Sequence, residues 1–394
     1  MAISNDTNEE ILRLLHSHLK RDHTKAFKIC VEAKGSYNDD VKQLLITDHF
    51  WGTLENDLEL DYFQNLNKLE WQNKGLKALP EAIGKLTNLQ SLDLWGNKIK
   101  TLPDAIGNLK KLEYLSLGHN KLTEIPATIG NLQNLQKLSL PWNKLTQIPF
   151  ELGQLSKLLI VNLGNNKITS LPESIWTLSL LERLYVPDNL LGHLPDYIAG
   201  LVNLTHLDIS QNGLVELPEA IFELKKLEEF RFGINPIATL STRIGELTSL
   251  KQLHFLRTQI RNIPIEIGNL SQLTDLGIRF NKLTSLPSTI GNLSNLKYLD
   301  VHGNKLNEVT AELGKLSSLW SLYLGNNKIK SIPEEIRFLT KLERLYLENN
   351  DLQTLPEVMF QLPSLNYFVI TNNSFSEKEQ RIIQNRLPNC QVLT

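Results

Sequence analysis

The 394-residue sequence is poor in cysteine and in aromatic residues, which make up 7% of the chain. Its two cysteines, Cys30 and Cys390, stand near opposite ends and are too few for a disulfide framework. There is no run of about 18 apolar residues, so no membrane-spanning helix is expected. The first ten residues are polar and acidic, unlike a secretory signal. We therefore expect a cytoplasmic protein.

The chain also lacks an excess of either charge. Lys and Arg together number 41 against 43 Asp and Glu, which gives a net charge of -2. Nothing in this balance attracts the chain as a whole to phosphate backbones or to anionic lipid. Neither nucleic acid nor a membrane is expected as a partner.

Motifs for catalysis and cofactor binding are missing as well. The sequence contains no GxxxxGK[ST], GxGxxG or GxSxG segment. The nine histidines are scattered, and neither cysteine belongs to a CxxC pair, so no metal-ligand spacing is present. We therefore predict no catalytic residue, no metal site and no cofactor, and a protein that is not an enzyme.

What the chain has instead is a 23-residue repeat, which is marked by asparagine. The unit reads LxxLxLxxNxLxxLPxxIGxLxx and occurs 14 times between residues 66 and 375. Lys74 takes the asparagine position in the first unit, and Thr258 takes it in the ninth. The asparagines are Asn97, Asn120, Asn143, Asn166, Asn189, Asn212, Asn235, Asn281, Asn304, Asn327, Asn350 and Asn373.

Each unit predicts one short strand, because its xLxLx segment alternates apolar and polar residues with period two. Strands that begin 23 residues apart, with a return segment between them, must run parallel and share one continuous leucine core. The Leu-Pro and IGxL segments leave room for a turn or two of helix at most, so the outer face is expected to be irregular. The asparagine amides are expected to pair with backbone groups of the turns and to form a ladder.

These units resemble the leucine-rich-repeat family, in particular its 23-residue intracellular type found in Ras-group-related and scaffold-like members. The resemblance covers residues 66–375 and implies an α/β solenoid, curved like a horseshoe, with a parallel β-sheet on its concave side. Such proteins serve as scaffolds, as sensing arms of receptors and as targeting arms of enzymes, so the motif is more specific for fold than for function. The Pro-Asn-Cys ending at Pro388 to Cys390 is similar to endings of bacterial members.

The two ends of the chain lack the repeat. Residues 1–65 are expected to form a helical N-terminal cap over the repeat core, although a separate partner-binding module is an alternative. The apolar face expected for the first helix consists of Ile11, Leu12, Leu15 and Leu19. In residues 376–394, Ser376 and Glu379 form a capping-box pattern ahead of a helix, and a short strand is expected to complete a C-terminal cap.

Partner contacts are expected on the concave face, where the residues six, four and two positions before each asparagine point outward. Along the chain these positions change from small or acidic to charged and aromatic residues, and Tyr, Trp and Arg dominate binding hot spots. The candidate partner-binding residues there and beside them are Trp95, Tyr114, Trp142, Arg183, Tyr185, Arg231, His254, Arg257, Arg279, Phe280, Tyr298, Tyr323 and Tyr346. The alternative is that such aromatic side chains only pack on the next strand.

The function predicted from these features is a non-catalytic protein–protein interaction scaffold that binds a protein partner on the concave face. The centre is favoured, because two adjacent repeats around Arg231 and His254 depart from the pattern, as functional places tend to do. One alternative is a regulatory or effector arm that inhibits or targets a separate enzyme. Another is a carbohydrate or lipid sensor. The absence of a secretory signal and of cysteine-rich caps argues against this alternative. The sequence names neither the partner nor the oligomeric state.

Overall fold

The computed structural model describes residues 3–394, which form two compact units, one ending at Leu158 and the other beginning at Leu159. Each unit contains an open parallel sheet, to which every repeat adds one strand, and short helices in the segments that return between strands. The predicted fold class, an α/β leucine-rich-repeat solenoid, is confirmed.

Five α-helices open the first unit. They are α1 (Asn5–Leu15), α2 (Lys20–Glu32), α3 (Asp39–Thr47), α4 (Phe50–Glu55) and α5 (Leu60–Gln64). Ile11 and Leu15 of α1 are buried with Cys30 and Val41 in a core of their own. Leu19, which was expected on the same face as Ile11, is half exposed, because α1 ends at Leu15 and Leu19 is the N-cap of α2.

Aromatic rings and one lysine join this helical segment to the first repeat. The ring of Phe50 packs edge to face on Trp71 with 4.6 Å between centroids, and on Phe63 with 4.9 Å. The ammonium group of Lys85 donates a 2.9 Å hydrogen bond to the Leu54 carbonyl oxygen. These contacts hold the helices against the edge of the first repeat.

Each repeat contributes one strand of three residues. In the first unit the strands are β1 (Lys68–Glu70), β2 (Ser91–Asp93), β3 (Tyr114–Ser116) and β4 (Lys137–Ser139). In the second unit they are β5 (Ile160–Asn162), β6 (Arg183–Tyr185), β7 (His206–Asp208), β8 (Glu229–Arg231), β9 (Gln252–His254), β10 (Asp275–Gly277), β11 (Tyr298–Asp300), β12 (Ser321–Tyr323), β13 (Arg344–Tyr346), β14 (Tyr367–Val369) and β15 (Gln391–Leu393). Repeats align in register, so Leu69 lies opposite Leu92, and Leu276 lies opposite Leu299.

The return segments, which were expected to be irregular, each contain one 3-10 helix of five residues. These helices are Glu81–Lys85, Asp104–Asn108, Ala127–Asn131, Phe150–Gln154, Glu173–Thr177, Asp196–Gly200, Glu219–Glu223, Thr242–Glu246, Ile265–Asn269, Ser288–Asn292, Ala311–Lys315, Glu334–Phe338 and Glu357–Gln361. The glycine of the IGxL segment lets neighbouring helices pack closely, since a Cβ atom on Gly107 would lie 2.5 Å from the Thr128 carbonyl oxygen. The return segments are therefore more regular than expected, because each forms the same short 3-10 helix.

The repeat asparagines form the expected ladder of hydrogen bonds. Oδ1 of Asn97 accepts from the Leu76 N–H at 3.0 Å, and Nδ2 donates to the Leu94 carbonyl at 2.8 Å and to a carbonyl of the previous repeat. One amide therefore satisfies backbone groups of two repeats. At the irregular rung, the hydroxyl of Thr258 donates to Oδ1 of Asn281 in the next rung.

The irregular central repeats have phenylalanines in the core. Phe230, Phe232 and Phe255 are fully buried. The rings of Phe232 and Phe255 stack with 4.9 Å between centroids and 6° between planes. Most repeats have an aliphatic residue at these positions, so part of the irregularity seen in the sequence is a change of core packing rather than a feature of the surface.

The second unit ends with α6 (Glu377–Arg386) and β15. Oγ of Ser376 accepts a hydrogen bond from the Glu379 N–H at 3.2 Å, as the capping pattern indicated. The final strand pairs in parallel with β14, and the Ile370 N–H donates to the Leu393 carbonyl at 2.8 Å.

Candidate functional site

In each unit, one side of the strands packs on the core and the other, which we term the open face, is accessible. The residues six, four and two positions before each repeat asparagine lie on the open face. In β6, for example, Leu184 is buried between Arg183 and Tyr185. The candidates at these positions are Trp95, Tyr114, Arg183, Tyr185, Arg231, His254, Arg279, Tyr298, Tyr323 and Tyr346.

The three other candidates lie in the turn that follows the strand. Trp142, Arg257 and Phe280 each stand one residue before the asparagine position, and their φ angles are 57°, 51° and 53°. This is left-handed backbone, which residues other than Gly, Asn and Asp seldom adopt. All three side chains are exposed at the end of the open face.

The structure does not bring the candidates of the first unit together. Tyr114 begins β3, whereas Trp95 lies beyond the end of β2. The ring of Trp95 lies across Gly118, so that a side chain at position 118 would not fit. Trp142 is 56% exposed. These aromatic residues are separate points on the surface rather than one cluster.

Arginines of the second unit are held by neighbours on the open face. Nε of Arg231 lies 2.7 Å from Oε1 of Glu229, whose other oxygen lies 3.8 Å from Nε2 of His206. Arg183 and Tyr185 lie at the two ends of β6 on the same face, and burial raises the pKa of the Tyr185 phenol. The contact with Glu229 fixes the direction of the Arg231 guanidinium group, which remains exposed.

His254 contributes differently from the arginines. Its ring lies where the side chain of a larger residue at position 277 would be, so Gly277 is required for the two strands to pack. Burial, followed by the nearby charge of Arg231, lowers the pKa of His254, which favours a neutral imidazole. His254 therefore supports the face more than it presents a charge.

A buried carboxylate organises the next part of the open face. Asp300 is 1% exposed and accepts hydrogen bonds from the Tyr298 hydroxyl at 2.9 Å and from the His302 N–H at 3.1 Å. Its Oδ2 also lies 3.4 Å from Nε of Arg279, whose side chain is 47% exposed. Burial raises the pKa of Asp300, while the two hydrogen bonds and the guanidinium oppose that shift.

Four tyrosines cover one another in the last repeats. Ring centroids are 5.1 Å apart for Tyr298 and Tyr323, 4.2 Å for Tyr323 and Tyr346, and 5.6 Å for Tyr346 and Tyr367. The middle pair is stacked, with 9° between ring planes. Because the faces of these rings touch neighbouring rings, a partner would meet mainly their edges and hydroxyl groups. The alternative that aromatic side chains only pack on the next strand thus applies to part of this group of tyrosines.

Phe280 lies between two cationic side chains. The guanidinium carbons of Arg257 and Arg279 are 5.4 and 5.5 Å from its ring centroid, within the range of cation–π attraction. The ring of His302 packs against it edge to face at 5.2 Å. Phe280 is still 40% exposed, so this cluster has an accessible aromatic surface.

Two residues of this surface were not singled out from the sequence. Asp300 reads as one acidic residue in a mixed row, and its burial depends on the neighbouring Tyr298. Ile234 lies at the turn position with a φ of 55° and is 40% exposed. The signal for Ile234 was available, because the same position is Asn165 or Gly303 in other repeats.

Two further features were sought in residues 3–394. In that part of the chain, no three His, Cys, Asp or Glu side chains come together in a way that could hold a metal ion. No helix within it combines the length and the apolar character needed to cross a membrane.

Comparisons with known proteins agree with the repeat. The sequence matches the family described as leucine-rich repeat region over residues 48–158, 188–288 and 240–323, and the family described as leucine rich repeat over residues 133–191 and 317–375. A leucine-rich-repeat protein of Leptospira interrogans is 34% identical, with a TM-score of 0.70, and the match covers 85% of this chain and 97% of that chain. An internalin of Listeria monocytogenes is 28% identical, with a TM-score of 0.73, and the match covers 82% and 93% of the two chains.

A plant receptor is also similar in structure. It is the ectodomain of a membrane receptor kinase of Arabidopsis thaliana, solved in complex with Casparian strip integrity factor 2, with 26% identity, a TM-score of 0.65, and coverage of 85% of this chain and 45% of that chain. No curated protein matches the sequence significantly. Proteins built from such repeats generally act as non-catalytic interaction modules that use their extended surfaces. This chain belongs to the leucine-rich-repeat family.

Proposed function

We propose that this protein is a non-catalytic interaction scaffold that binds a protein partner on the open face of its second unit. The observation that carries the proposal is the network of Tyr298, Asp300 and Arg279. The repeat itself does not require a charge here, since Ser139 and Gly277 take the position of Asp300 in other repeats. Burying a carboxylate costs free energy. The buried carboxylate of Asp300 fixes the exposed guanidinium group of Arg279.

Side chains that are fixed before binding lose less entropy when a partner arrives. Arg231, held by Glu229, and Arg279, held by Asp300, are in this state, and Phe280 adds accessible aromatic area between them and the tyrosines. Arg and aromatic residues of this kind contribute most of the free energy in many interfaces. The partner's main contacts are therefore assigned to the segment of the open face from β6 to β13.

The first unit is assigned a secondary contact. Trp95, Tyr114 and Trp142 are large aromatic residues that lie in different repeats and do not form one cluster. They are proposed to add contact area within the first unit. Their individual contributions are expected to be smaller than those of Arg231 and Arg279.

Charge reversal tests the proposal. A partner isolated by crosslinking and affinity purification would be titrated against the wild type and the double variant Arg231→Glu, Arg279→Glu by isothermal titration calorimetry. We expect the affinity to fall at least about tenfold, because truncating or reversing held charges at an interface costs on the order of 2 kcal/mol or more. The matched control is Lys98→Glu, Lys305→Glu, which reverses two exposed lysines next to repeat asparagines. Equal affinity of wild type and arginine variant would exclude the open face as the site.

A role as a carbohydrate sensor has less support. Sugar rings are usually bound by stacking on exposed aromatic faces, and the faces of Tyr323 and Tyr346 cover each other. If the isolated partner is an enzyme whose rate changes on binding, the same surface would act as a regulatory arm, and the titration above would measure it equally well.

We also propose that the protein is of the intracellular type, works in the cytoplasm and has a bacterial source. Two free thiols, Cys30 and Cys390, suit a reducing compartment, and the similar proteins of Leptospira and Listeria support the source. Fractionation of the producing cell, followed by immunoblotting, tests the location. Recovery from the culture medium or the cell surface would contradict it.

The two ends are proposed to be caps. The helices within residues 3–65 lie against the first repeat through the contacts of Phe50 with Trp71 and of Leu54 with Lys85. Residues 376–394 add β15 beside β14. An uncovered repeat exposes leucines and a strand edge, which favours aggregation. Removing residues 376–394 should therefore produce oligomers in size-exclusion chromatography, whereas a monomer of unchanged stability would argue against a cap.

A further inference from the structure

The residue before the asparagine position has a positive φ in every one of the 14 repeats. Glycine tolerates this backbone without cost, and Asn and Asp tolerate it better than other residues. Most repeats follow the rule, with Asn73, Gly96, Asn165, Asp188, Gly303, Asn326, Asn349 and Asn372. The other six positions are His119, Trp142, Gln211, Ile234, Arg257 and Phe280. The last three lie in consecutive repeats, and we term this set the turn ridge.

The left-handed backbone of the turn ridge reduces the stability of the fold. It costs roughly 1–2 kcal/mol for an ordinary residue, and a β-branched residue such as Ile234 is a clear outlier there. Burial and the ring contacts of Phe280 offset this cost only in part, because Ile234 and Phe280 are both 40% exposed and Arg257 is exposed too. Strained positions with exposed side chains are typical of binding sites.

The backbone places the three side chains of the turn ridge side by side. The N–H groups of Ile234, Arg257 and Phe280 donate to carbonyl oxygens in the following repeat at 2.7, 2.8 and 2.8 Å. Adjacent turns are therefore about 5 Å apart, the spacing of neighbouring strands. An extended chain that crosses the repeats could contact all three residues.

The two ends of the turn ridge differ in chemistry. Among residues 3–394, no carboxylate oxygen lies within 4 Å of the Arg257 guanidinium nitrogens, although that group lies over the ring of Phe280. Arg279 lies over the same ring. Phe280 thus gathers two guanidinium groups, of which Arg257 has no acidic partner and Arg279 has one at 3.4 Å. This end is an electropositive aromatic site.

The end at Ile234 is apolar. Seven repeats have a lysine directly after the asparagine, but the repeats up to the turn ridge have Leu190, Gly213 and Pro236 there. Leu190 and Val215 are 60% and 64% exposed. The row of solubilising lysines is therefore interrupted in the repeats that lead to Ile234, which leaves exposed apolar side chains on that side of the turn ridge.

We propose that the turn ridge anchors an extended acidic segment of the protein partner. An apolar side chain of that segment contacts Ile234 and Pro236, and an Asp or Glu a few residues away binds Arg257 and Arg279. The opposite charge of the segment follows from the unpaired guanidinium, and the apolar residue follows from the interrupted lysine row. This inference rests on the proposed scaffold function, for which it names the class of partner segment.

The turn position allows a test in which binding and stability change in different directions. Ile234→Asn and Arg257→Asn place a residue better suited to positive φ in the same turn, so the denaturant midpoint should stay equal or rise. The affinity for the partner isolated by crosslinking should fall about tenfold in each, which corresponds to about 1.4 kcal/mol. Gln211→Asn is the matched control, because position 211 has the same backbone with a φ of 54°, and its affinity should not change.

Synthetic peptides identify the chemistry of the segment. Ten-residue peptides with one Leu and one Asp at varied spacing would be compared by fluorescence anisotropy with the same peptides carrying Asn for Asp or Ser for Leu. We expect the wild type to bind peptides that contain both Leu and Asp at least about fivefold more tightly than peptides with either replacement. Arg257→Asn should lose the preference for Asp over Asn, and Ile234→Asn should lose the preference for Leu over Ser. Equal binding of the acid and amide peptides would overturn the proposal.

The results also separate this inference from the proposed function. If Arg231→Glu, Arg279→Glu abolishes partner binding while Ile234→Asn and Arg257→Asn bind like the wild type, the turn ridge is not the anchor and the open face remains the site. If none of these variants changes partner binding, both the inference and the proposed function are wrong.

Discussion

The hydroxyl of Tyr298 donates a 2.9 Å hydrogen bond to the buried carboxylate of Asp300, two residues further along the same strand. The two side chains point to the same side of the sheet because strand residues alternate. Asp300 in turn lies 3.4 Å from Arg279 of the previous repeat. A phenol and a carboxylate thus position a cation on the surface to which partner binding is assigned.

This arrangement predicts a pH dependence of stability. Burial raises the pKa of Asp300 above its ordinary value of 3.8, so the folded protein holds this proton more tightly than the unfolded chain. Stability is therefore greatest below the ordinary pKa and falls as pH rises through the raised pKa. Relative to Asp300→Asn, the wild type should lose unfolding free energy as pH rises above the ordinary pKa of 3.8, as measured by urea unfolding of both proteins. If the unfolding free energy of the wild type relative to Asp300→Asn stayed constant or increased with pH, the raised pKa of Asp300 would be contradicted.

The stacked tyrosines should stabilise each other. Tyr323 and Tyr346 are 4.2 Å apart and nearly parallel, and aromatic pairs contribute about 0.5–1.5 kcal/mol beyond their buried area. A double-mutant cycle with Tyr323→Leu and Tyr346→Leu should give a coupling energy of this size in urea unfolding. Strictly additive effects would mean that the rings share a surface without stabilising each other.

The fold followed from the sequence because one signal is repeated many times. A period of 23 residues fixes the register of every strand, and the alternation around Leu92 or Leu276 repeats in each unit. The ladder was predictable for the same reason, since an amide at a fixed place after a strand meets the same backbone groups each time. The regular 3-10 helices were less apparent, because the IGxL segment is short and its packing depends on the next repeat.

The functional surface was less predictable because it depends on contacts between repeats. Tyr323 and Tyr346 read as exposed hot-spot residues, but whether a ring covers its neighbour is decided by side-chain orientation. Arg257 and Phe280 were identified by residue type, while the left-handed backbone that they share with Ile234 is not visible in the spacing alone. The sequence thus indicated the region, and the geometry separated supporting side chains from presented ones.

Restoring the missing rung of the ladder should stabilise the second unit. Thr258 lies in the place of an asparagine, and its hydroxyl binds Asn281. In Thr258→Asn the new amide can donate to the two carbonyl groups that other rungs reach, so we expect a gain of about 1 kcal/mol. The matched change Asn281→Thr should cost about 1–3 kcal/mol. Urea unfolding would measure both, and a loss of stability in Thr258→Asn would show that this rung is shaped for threonine.

The thiols should be unreactive in the folded protein. Burial raises the pKa of Cys30 to about 12 and that of Cys390 to about 11, and the thiolate is the reactive form. At pH 8 a maleimide should therefore label Cys30 in the variant Cys390→Ser only as fast as the helical segment opens, and the rate should rise in urea. Labelling of the native protein at the rate of a free thiol would contradict the buried position in α2.

The phenylalanine core of the central repeats predicts the most severe loss of stability. Phe232 is fully buried and stacked on Phe255, so Phe232→Ala should cost about 3–5 kcal/mol through lost contacts and a cavity. Phe232→Leu restores the residue typical of the repeat, yet it should still destabilise, because the space is shaped by the neighbouring ring. Replacing both residues by leucine should cost less than the two single changes together, since each removes the same stacking contact. Urea unfolding of the wild type, Phe232→Ala, Phe232→Leu, Phe255→Leu and the double leucine variant provides the comparison. Additive costs would show that Phe232 and Phe255 pack independently of each other.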